Sequence, residues 1–304
     1  MKSRQTWALL LTLTLTLALA CSASPALARK GTKPAPPPPP DLVLTQDVME
    51  AQPMLLAKRL SELQPQRPGV VDVYAITFAP YSDEDVFRKE SKMVADVMAQ
   101  RFDARGRGIQ LVNSVSTTDQ WPWATRKNLQ RTLQHIAKLM DRDEDVLFIH
   151  LTSHGAQDGE LFAGFWPMTV EPVTPWLLRA WLDEAGIRNR VISVSACYSG
   201  TWVKPLAEPH TLVMTASDAS HTAYGCGRES ELTFFGRAVF DEQLRRHTLS
   251  FEQAHAAARE LIRKRETAAH KSDGYSNPQI NVGASIRERL ERLQAELLHR
   301  APAP

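Results

Sequence analysis

The stretch VISVSACYSG, Val191–Gly200, runs from β-branched and small residues directly into a cysteine and then into a glycine. Residues 190–196 therefore predict a buried strand that ends immediately before Cys197. Four other apolar runs have the length and composition of buried strands: Gly69–Ala79, Gly108–Val115, Asp145–Ser153 and Thr211–Ser217. Because these strands are apolar on both faces, both faces of their sheet must be covered.

Amphipathic helices are predicted between the strands, since apolar residues recur there at helical spacing. The helical stretches are Asp83–Phe102, Thr125–Met140, Leu232–Leu244 and Ser250–Arg265, with a further helix that begins at Thr174-Pro175. Strands that alternate with helices form parallel sheets. The sequence thus predicts an α/β three-layer sandwich, in which a mostly parallel sheet carries helices on both faces.

The N-terminus has the features of an export signal. Residues 1–28 combine a charged start, an apolar run and an Ala-Leu-Ala cleavage site, as secretory signals do. An alternative cleavage after residue 20 would leave Cys21 to be lipidated. We therefore expect a protein of the periplasm or cell envelope, which is attached to a membrane only if Cys21 carries a lipid.

The rest of the chain divides into four parts. They are a proline-rich linker (29–41), an N-terminal helical segment (42–67), the α/β domain (68–283) and a C-terminal helix with its tail (284–304). Within the helical segment, Pro53 is expected to break the helix, because proline lacks a backbone donor.

Two reactive side chains follow two of the predicted strands. His154 comes after the third strand and Cys197 after the fourth. If these strands are neighbours, their ends are roughly 5 Å apart, and the two side chains meet at one sheet edge. A histidine there can take the thiol proton and later protonate a leaving amine. The backbone N–H of Gly155 is unshielded and can face a developing oxyanion.

The motifs Ser153-His154-Gly155 and Ser195-Ala196-Cys197-Tyr198-Ser199-Gly200 resemble those of the legumain (asparaginyl endopeptidase) family of cysteine peptidases, in particular its bacterial exported members. The resemblance extends over roughly residues 69–261. It implies a caspase-like fold, with Cys197 as the nucleophile and His154 as general base and acid. It also implies an oxyanion hole formed by the amide groups of Gly155 and Cys197.

The specificity residues depart from the family pattern. Legumains hold an asparagine side chain with one arginine and two acidic residues. The arginine corresponds to Arg88, but Ser195 and Arg237 stand where the two acids are expected. These three residues are the predicted substrate-binding residues. Such a pocket favours an acidic or neutral side chain over asparagine.

The remaining polar candidates are expected to be structural. Cys226 is interpreted as a structural cysteine, and a disulfide with Cys197 is the alternative that would block the nucleophile. His150 is interpreted as a hydrogen-bonded core or lining histidine. No metal-ligand or phosphate-loop motif occurs, so no cofactor or metal is predicted. The formal net charge is only +2, and nucleic acid is not expected as a partner.

Taken together, these features predict a cysteine-type endopeptidase that acts on peptide or protein substrates in the cell envelope. A transpeptidase of the same family is one alternative, because an acyl-enzyme can pass to an amine instead of water. A catalytically inactive binding module with the same fold is the other alternative.

Overall fold

A six-stranded sheet forms the centre of the computed structural model, which describes residues 44–300. The strands are β1 (Val73–Ala79), β2 (Gly108–Val112), β3 (Val146–Thr152), β4 (Arg190–Ser195), β5 (Thr211–Thr215) and β6 (Gln279–Val282). Their order is β2-β1-β3-β4-β5-β6, and only β6 is antiparallel. The predicted signal sequence, the lipidation at Cys21 and the whole proline-rich linker lie outside the described residues.

Helices cover both faces of this sheet. They are α1 (Gln46–Ser61), α2 (Asp85–Arg101), α3 (Arg126–Leu139), α4 (Pro175–Glu184), α5 (Val203–Leu206), α6 (Phe234–Gly236), α7 (Phe251–Ala268) and α8 (Ala284–Arg300). A π-helical segment, Arg237–Leu244, continues directly from α6. The predicted start of α4 is confirmed, because the Thr174 side chain accepts a hydrogen bond from the amide of Leu177.

Alternate residues of the strands belong to two separate hydrophobic cores, one on each face of the sheet. On one face, Ile76 and Ile149 pack with the apolar residues of α1, α3 and α4. On the other face, Ala75 and Phe148 pack with α2, the π-helical segment, α7 and α8. This alternation follows from the two-residue period of a strand. The predicted three-layer α/β sandwich with a mostly parallel sheet is therefore confirmed.

Two local expectations differ from the structure. The helix α1 continues through Pro53, so the predicted break is wrong. Pro53 itself is exposed, while the neighbouring Gln52 anchors the helix by donating to the carbonyl of Thr118 at 2.7 Å and accepting from the amide of Trp123 at 3.1 Å. The strand β6 was not predicted, because its four residues are half-buried and it exists through pairing with β5.

The topology brings three strand ends together. β3 lies between β1 and β4, and all three run in the same direction. Their carboxyl ends therefore share one edge, where open α/β sheets bind their ligands. Within residues 44–300, no helix is both long enough and apolar enough to cross a membrane.

Candidate active site

The predicted neighbours at the sheet edge are confirmed. Thr152 at the end of β3 pairs with Ser195 at the end of β4, and His154 and Cys197 each follow two residues later. Gly155 lies against the cysteine, since a Cβ atom on Gly155 would be only 2.3 Å from the carbonyl oxygen of Cys197. The structure shows no direct hydrogen bond between the His154 ring and the Cys197 sulfur. Such bonds in catalytic pairs are often formed only when substrate is bound.

A tight turn presents Cys197. The next residue, Tyr198, has a φ of 54°, a left-handed conformation that is unfavourable for a tyrosine. Ser199 and Ser217 hold the turn, because each side-chain oxygen accepts a hydrogen bond of 3.1 Å from the other residue's amide. At Gly200 a Cβ atom would meet the backbone nitrogen of Ala219 at 2.5 Å. The Cys-Tyr-Ser-Gly sequence is thus explained by a turn that projects a thiol from the strand end.

The Cys197 thiol is set up to ionise. A hydrogen bond from Cys226 outweighs the effect of burial and lowers the pKa of Cys197 to about 7, and the charge of Lys271 acts in the same direction. The same interaction raises the pKa of Cys226, so that Cys226 remains the protonated partner. Both cysteines are free thiols. Lys271 lies in the loop after α7, and no sequence pattern connects it to Cys197.

His154 is held by residues from the β1–α2 connection and the first turn of α2. Its ring packs edge-to-face on Tyr81 and Phe87, with centroid distances of 4.9 and 5.0 Å. Its Nε2 atom lies 3.2 Å from a carboxylate oxygen of Glu84. Nδ1 therefore remains as the ring nitrogen that can exchange a proton with substrate or thiol. Glu84 was not predicted as a site residue, because it reaches His154 only through the pairing of β1 with β3.

The two predicted oxyanion donors are unpaired. Among residues 44–300, neither the amide of Gly155 nor that of Cys197 donates a hydrogen bond. The neighbouring amides are satisfied, as Ala156 donates to Glu160 at 3.0 Å and Tyr198 donates to His221 at 3.0 Å. Unpaired backbone donors at this position are suited to a negatively charged oxygen.

The predicted substrate-binding residues do not form one cluster. Arg88 makes a two-pronged ion pair with Asp85, at 2.5 and 2.6 Å. Ser195 is only 2% exposed, and its hydroxyl lies 3.1 Å from that of Thr233. Arg237 is half-buried one turn beyond Thr233 and forms no ion pair with the acids of the described residues. Their role in substrate binding stays a prediction.

A buried polar network supports this part of the site. The carboxylate of Glu90 lies 3.1 Å from Nε2 of His150 and accepts hydrogen bonds from the amide and hydroxyl of Thr233, at 3.1 and 2.6 Å. Ser193 bonds to the other ring nitrogen of His150 at 3.0 Å. The interpretation of His150 as a satisfied core histidine is confirmed. Ser195 is linked to this network through Thr233.

One protein family and several solved structures are similar to this chain. The model of the peptidase C13 family matches residues 127–283. Caspase-1 from Spodoptera frugiperda is a similar solved structure, with 12% identity, a TM-score of 0.47, and coverage of 72% of this chain and 92% of that chain. A structure of pro-sf-caspase-1 has 14% identity, a TM-score of 0.48, and coverage of 70% and 91%. No curated protein matches the chain significantly.

Proposed function

The chain belongs to the peptidase C13 family of cysteine peptidases, and we propose that it is an endopeptidase of the cell envelope with Cys197 and His154 as its catalytic pair. One observation carries this assignment. An ionisable thiol and two unpaired amides lie together at adjacent strand ends, and a histidine follows one of those strands. These are the parts that acyl transfer to a thiol requires.

Attack on the peptide bond begins from the Cys197 thiolate. Because the pKa of this thiol is lowered to about 7, a large fraction is ionised at neutral pH. The sulfur attacks the carbonyl carbon of the scissile bond, and the carbonyl oxygen becomes negatively charged. The free amides of Gly155 and Cys197 then donate to that oxygen.

His154 completes both halves of the reaction. Its Nδ1 atom protonates the amine as the carbon–nitrogen bond breaks, leaving a thioester at Cys197. The same atom then takes a proton from the water that attacks this thioester. Glu84 orients the ring through Nε2 and stabilises the imidazolium when it carries the extra proton.

The substrate preference is proposed from the charges near the site. Arg88 is paired with Asp85, which leaves less of its charge to recognise a substrate. Arg237 has no such partner among the described acids and is the stronger candidate to bind an acidic or neutral polar side chain. Ser195 is buried and hydrogen-bonded to Thr233, so its proposed contribution is indirect, through the position of Thr233.

The proposed location rests on the N-terminal sequence alone. The charged start and apolar run of residues 1–28 support export, with cleavage after residue 28 or, if Cys21 is lipidated, after residue 20. Mass spectrometry of the mature N-terminus from a native membrane and periplasmic fraction tests this location. An uncleaved, cytosolic protein would contradict it.

The activity is tested with a thiol-directed probe and a peptide library. The wild type is compared with Cys197→Ala, His154→Ala and the control His135→Ala, which changes a histidine of α3 on the other side of the molecule. We expect rapid labelling only at Cys197 and cleavage of internal peptide bonds. His154→Ala should lower the cleavage rate by about 10²- to 10⁴-fold. Labelling that is slow and indifferent to His154 would contradict the proposal.

A further inference from the structure

The second cysteine of the domain lies beside the nucleophile. Each of the two thiols shifts the pKa of the other, which makes their side chains neighbours, and both thiols are free. The Cys197 sulfur is also 3.7 Å from the carbonyl oxygen of Ala223, three residues before Cys226. The stretch that carries Cys226 thus passes directly over the strand end that carries Cys197.

Cys226 is also in contact with the residues that hold the histidine. It packs against a small apolar cluster that contains Phe87, and the Phe87 ring lies 5.0 Å from that of His154. Cys226 therefore lies between the nucleophile and the aromatic residues that hold its partner. Peptide hydrolysis as described above uses Cys226 only as a hydrogen-bond donor, so the presence of a second thiol is unexplained.

Cys226 lies on an irregular stretch of the chain. Between β5 and α6, residues 219–232 contain no helix or strand. Gly225 is fixed, because a Cβ atom there would be 2.8 Å from the nitrogen of Phe234. Gly227 is open, since its nearest neighbour would be the side chain of Ser230 at 3.9 Å. Cys226 is thus not held by the hydrogen-bond ladder of a helix or strand, and a disulfide with Cys197 would break no regular element.

We propose that Cys226 is a resolving thiol, which forms a reversible disulfide with Cys197 after a hydroperoxide has oxidised Cys197. In the first step, the Cys197 thiolate attacks a peroxide oxygen, the O–O bond breaks, and Cys197 becomes a sulfenic acid while the peroxide leaves as an alcohol or water. In the second step, the Cys226 sulfur attacks the Cys197 sulfur, and the sulfenic oxygen leaves as water. A dithiol reductant returns both cysteines to thiols.

Charge favours this order of events. While Cys197 is a thiolate, its hydrogen bond with Cys226 raises the pKa of Cys226, and burial and the negative charge of the thiolate act in the same direction. Once Cys197 is a neutral sulfenic acid, the hydrogen bond to a thiolate and its charge are both gone, so Cys226 ionises more readily and can attack. The disulfide would block the nucleophile while preventing its irreversible oxidation. The disulfide between Cys197 and Cys226 forms without a peptide substrate. This inference therefore rests on the proposed function only where it says that the disulfide stops peptide hydrolysis.

The test uses the full chain, hydrogen peroxide and mass spectrometry. Lys204 precedes a proline, so trypsin should leave both cysteines on one peptide, Val191–Arg228. After peroxide and alkylation of free thiols, we expect this peptide to lack two hydrogens and to carry no alkyl group. Chymotrypsin should then separate it into two disulfide-linked fragments. Dithiothreitol should restore both alkylation and probe labelling at Cys197.

The matched control is Cys226→Ser, which keeps the size and polarity of the side chain. In this variant we expect Cys197 to gain two or three oxygen atoms, with labelling lost and not restored by dithiothreitol. For each protein, the rate of probe labelling after peroxide is compared with the rate for the same protein without peroxide, because Cys226 also affects the ionisation of Cys197. The proposal is overturned if the wild type gives the same oxygen adducts as Cys226→Ser, or if Cys197 links to Cys21. A linked pair in a protein that cleaves no peptide would overturn the proposed function and leave this inference standing.

Discussion

Replacing Glu84 with glutamine should slow catalysis without loosening the fold. The carboxylate of Glu84 makes a hydrogen bond of 3.2 Å to Nε2 of His154, and in the acylation step that ring carries a positive charge. A glutamine can keep the contact but removes the negative charge. Because the Glu84 side chain makes no capping bond to α2, the helix loses no cap in the variant.

The magnitude follows from the exposure of the two side chains. A hydrogen bond to a charged group contributes about 1.5 to 3 kcal/mol. The side chains of His154 and Glu84 are 28% and 16% exposed, so solvent screens their interaction and the lower end of that range applies. Since about 1.4 kcal/mol corresponds to a tenfold change in rate, kcat/KM should fall roughly tenfold in Glu84→Gln.

The assay measures kcat and KM separately on one cleaved peptide, together with the thermal midpoint of unfolding. We expect the loss in kcat, with KM and the midpoint unchanged. Asp83→Asn is the control, because this exposed neighbour bonds only to the side chain of Ser82, at 3.2 Å. An unchanged kcat in Glu84→Gln, or an equal loss in Asp83→Asn, would refute the role of Glu84.

Three further predictions concern the thiol, the oxyanion hole and acid stability. Alkylation of Cys197 should reach half of its maximum rate near pH 7. Cys226→Ala should move this midpoint up towards 9.0, the pKa of an ordinary thiol. An unmoved midpoint would exclude the hydrogen bond from Cys226 as the cause of the lowered pKa. Gly155→Ala should lower kcat/KM by at least about 100-fold, because its Cβ atom would lie 2.3 Å from the Cys197 carbonyl oxygen, whereas Gly108→Ala, with 3.7 Å to its nearest neighbour, should be tolerated. Burial, and next the charge of a neighbouring arginine, lowers the pKa of His255 from 6.5 to about 4. Below pH 6.5 the unfolded chain binds a proton at His255 that the folded chain excludes, so His255 should contribute a fall of about 3 kcal/mol in the free energy of unfolding between pH 6.5 and 4. Denaturant titrations of the wild type and of His255→Leu should differ by this contribution, and parallel curves would contradict it.

Much of the molecule could be predicted from short stretches of sequence. Five of the six strands were found because they are short, continuous apolar runs, and the long helices because their apolar residues recur with a period of 3.6 residues. The placement of His154 and Cys197 at one sheet edge followed from the same patterns, since both residues come directly after buried parallel strands, whereas the pairing of these two strands was a condition that the structure meets. The strand β6 was missed because four half-buried residues carry too weak a pattern.

What the sequence by itself determined is the set of elements and the two strand-end motifs, since those depend on residues close together along the chain. Only the tertiary structure decided which side chains meet there. Glu84 reaches His154 across 70 positions, and Cys226 approaches Cys197 on a stretch without regular structure. Such contacts depend on strand order and on where loops cross the sheet edge, and no local periodicity records them. The sequence therefore predicted Cys197 as the nucleophile, but it did not predict the side chains that tune the thiol and orient His154.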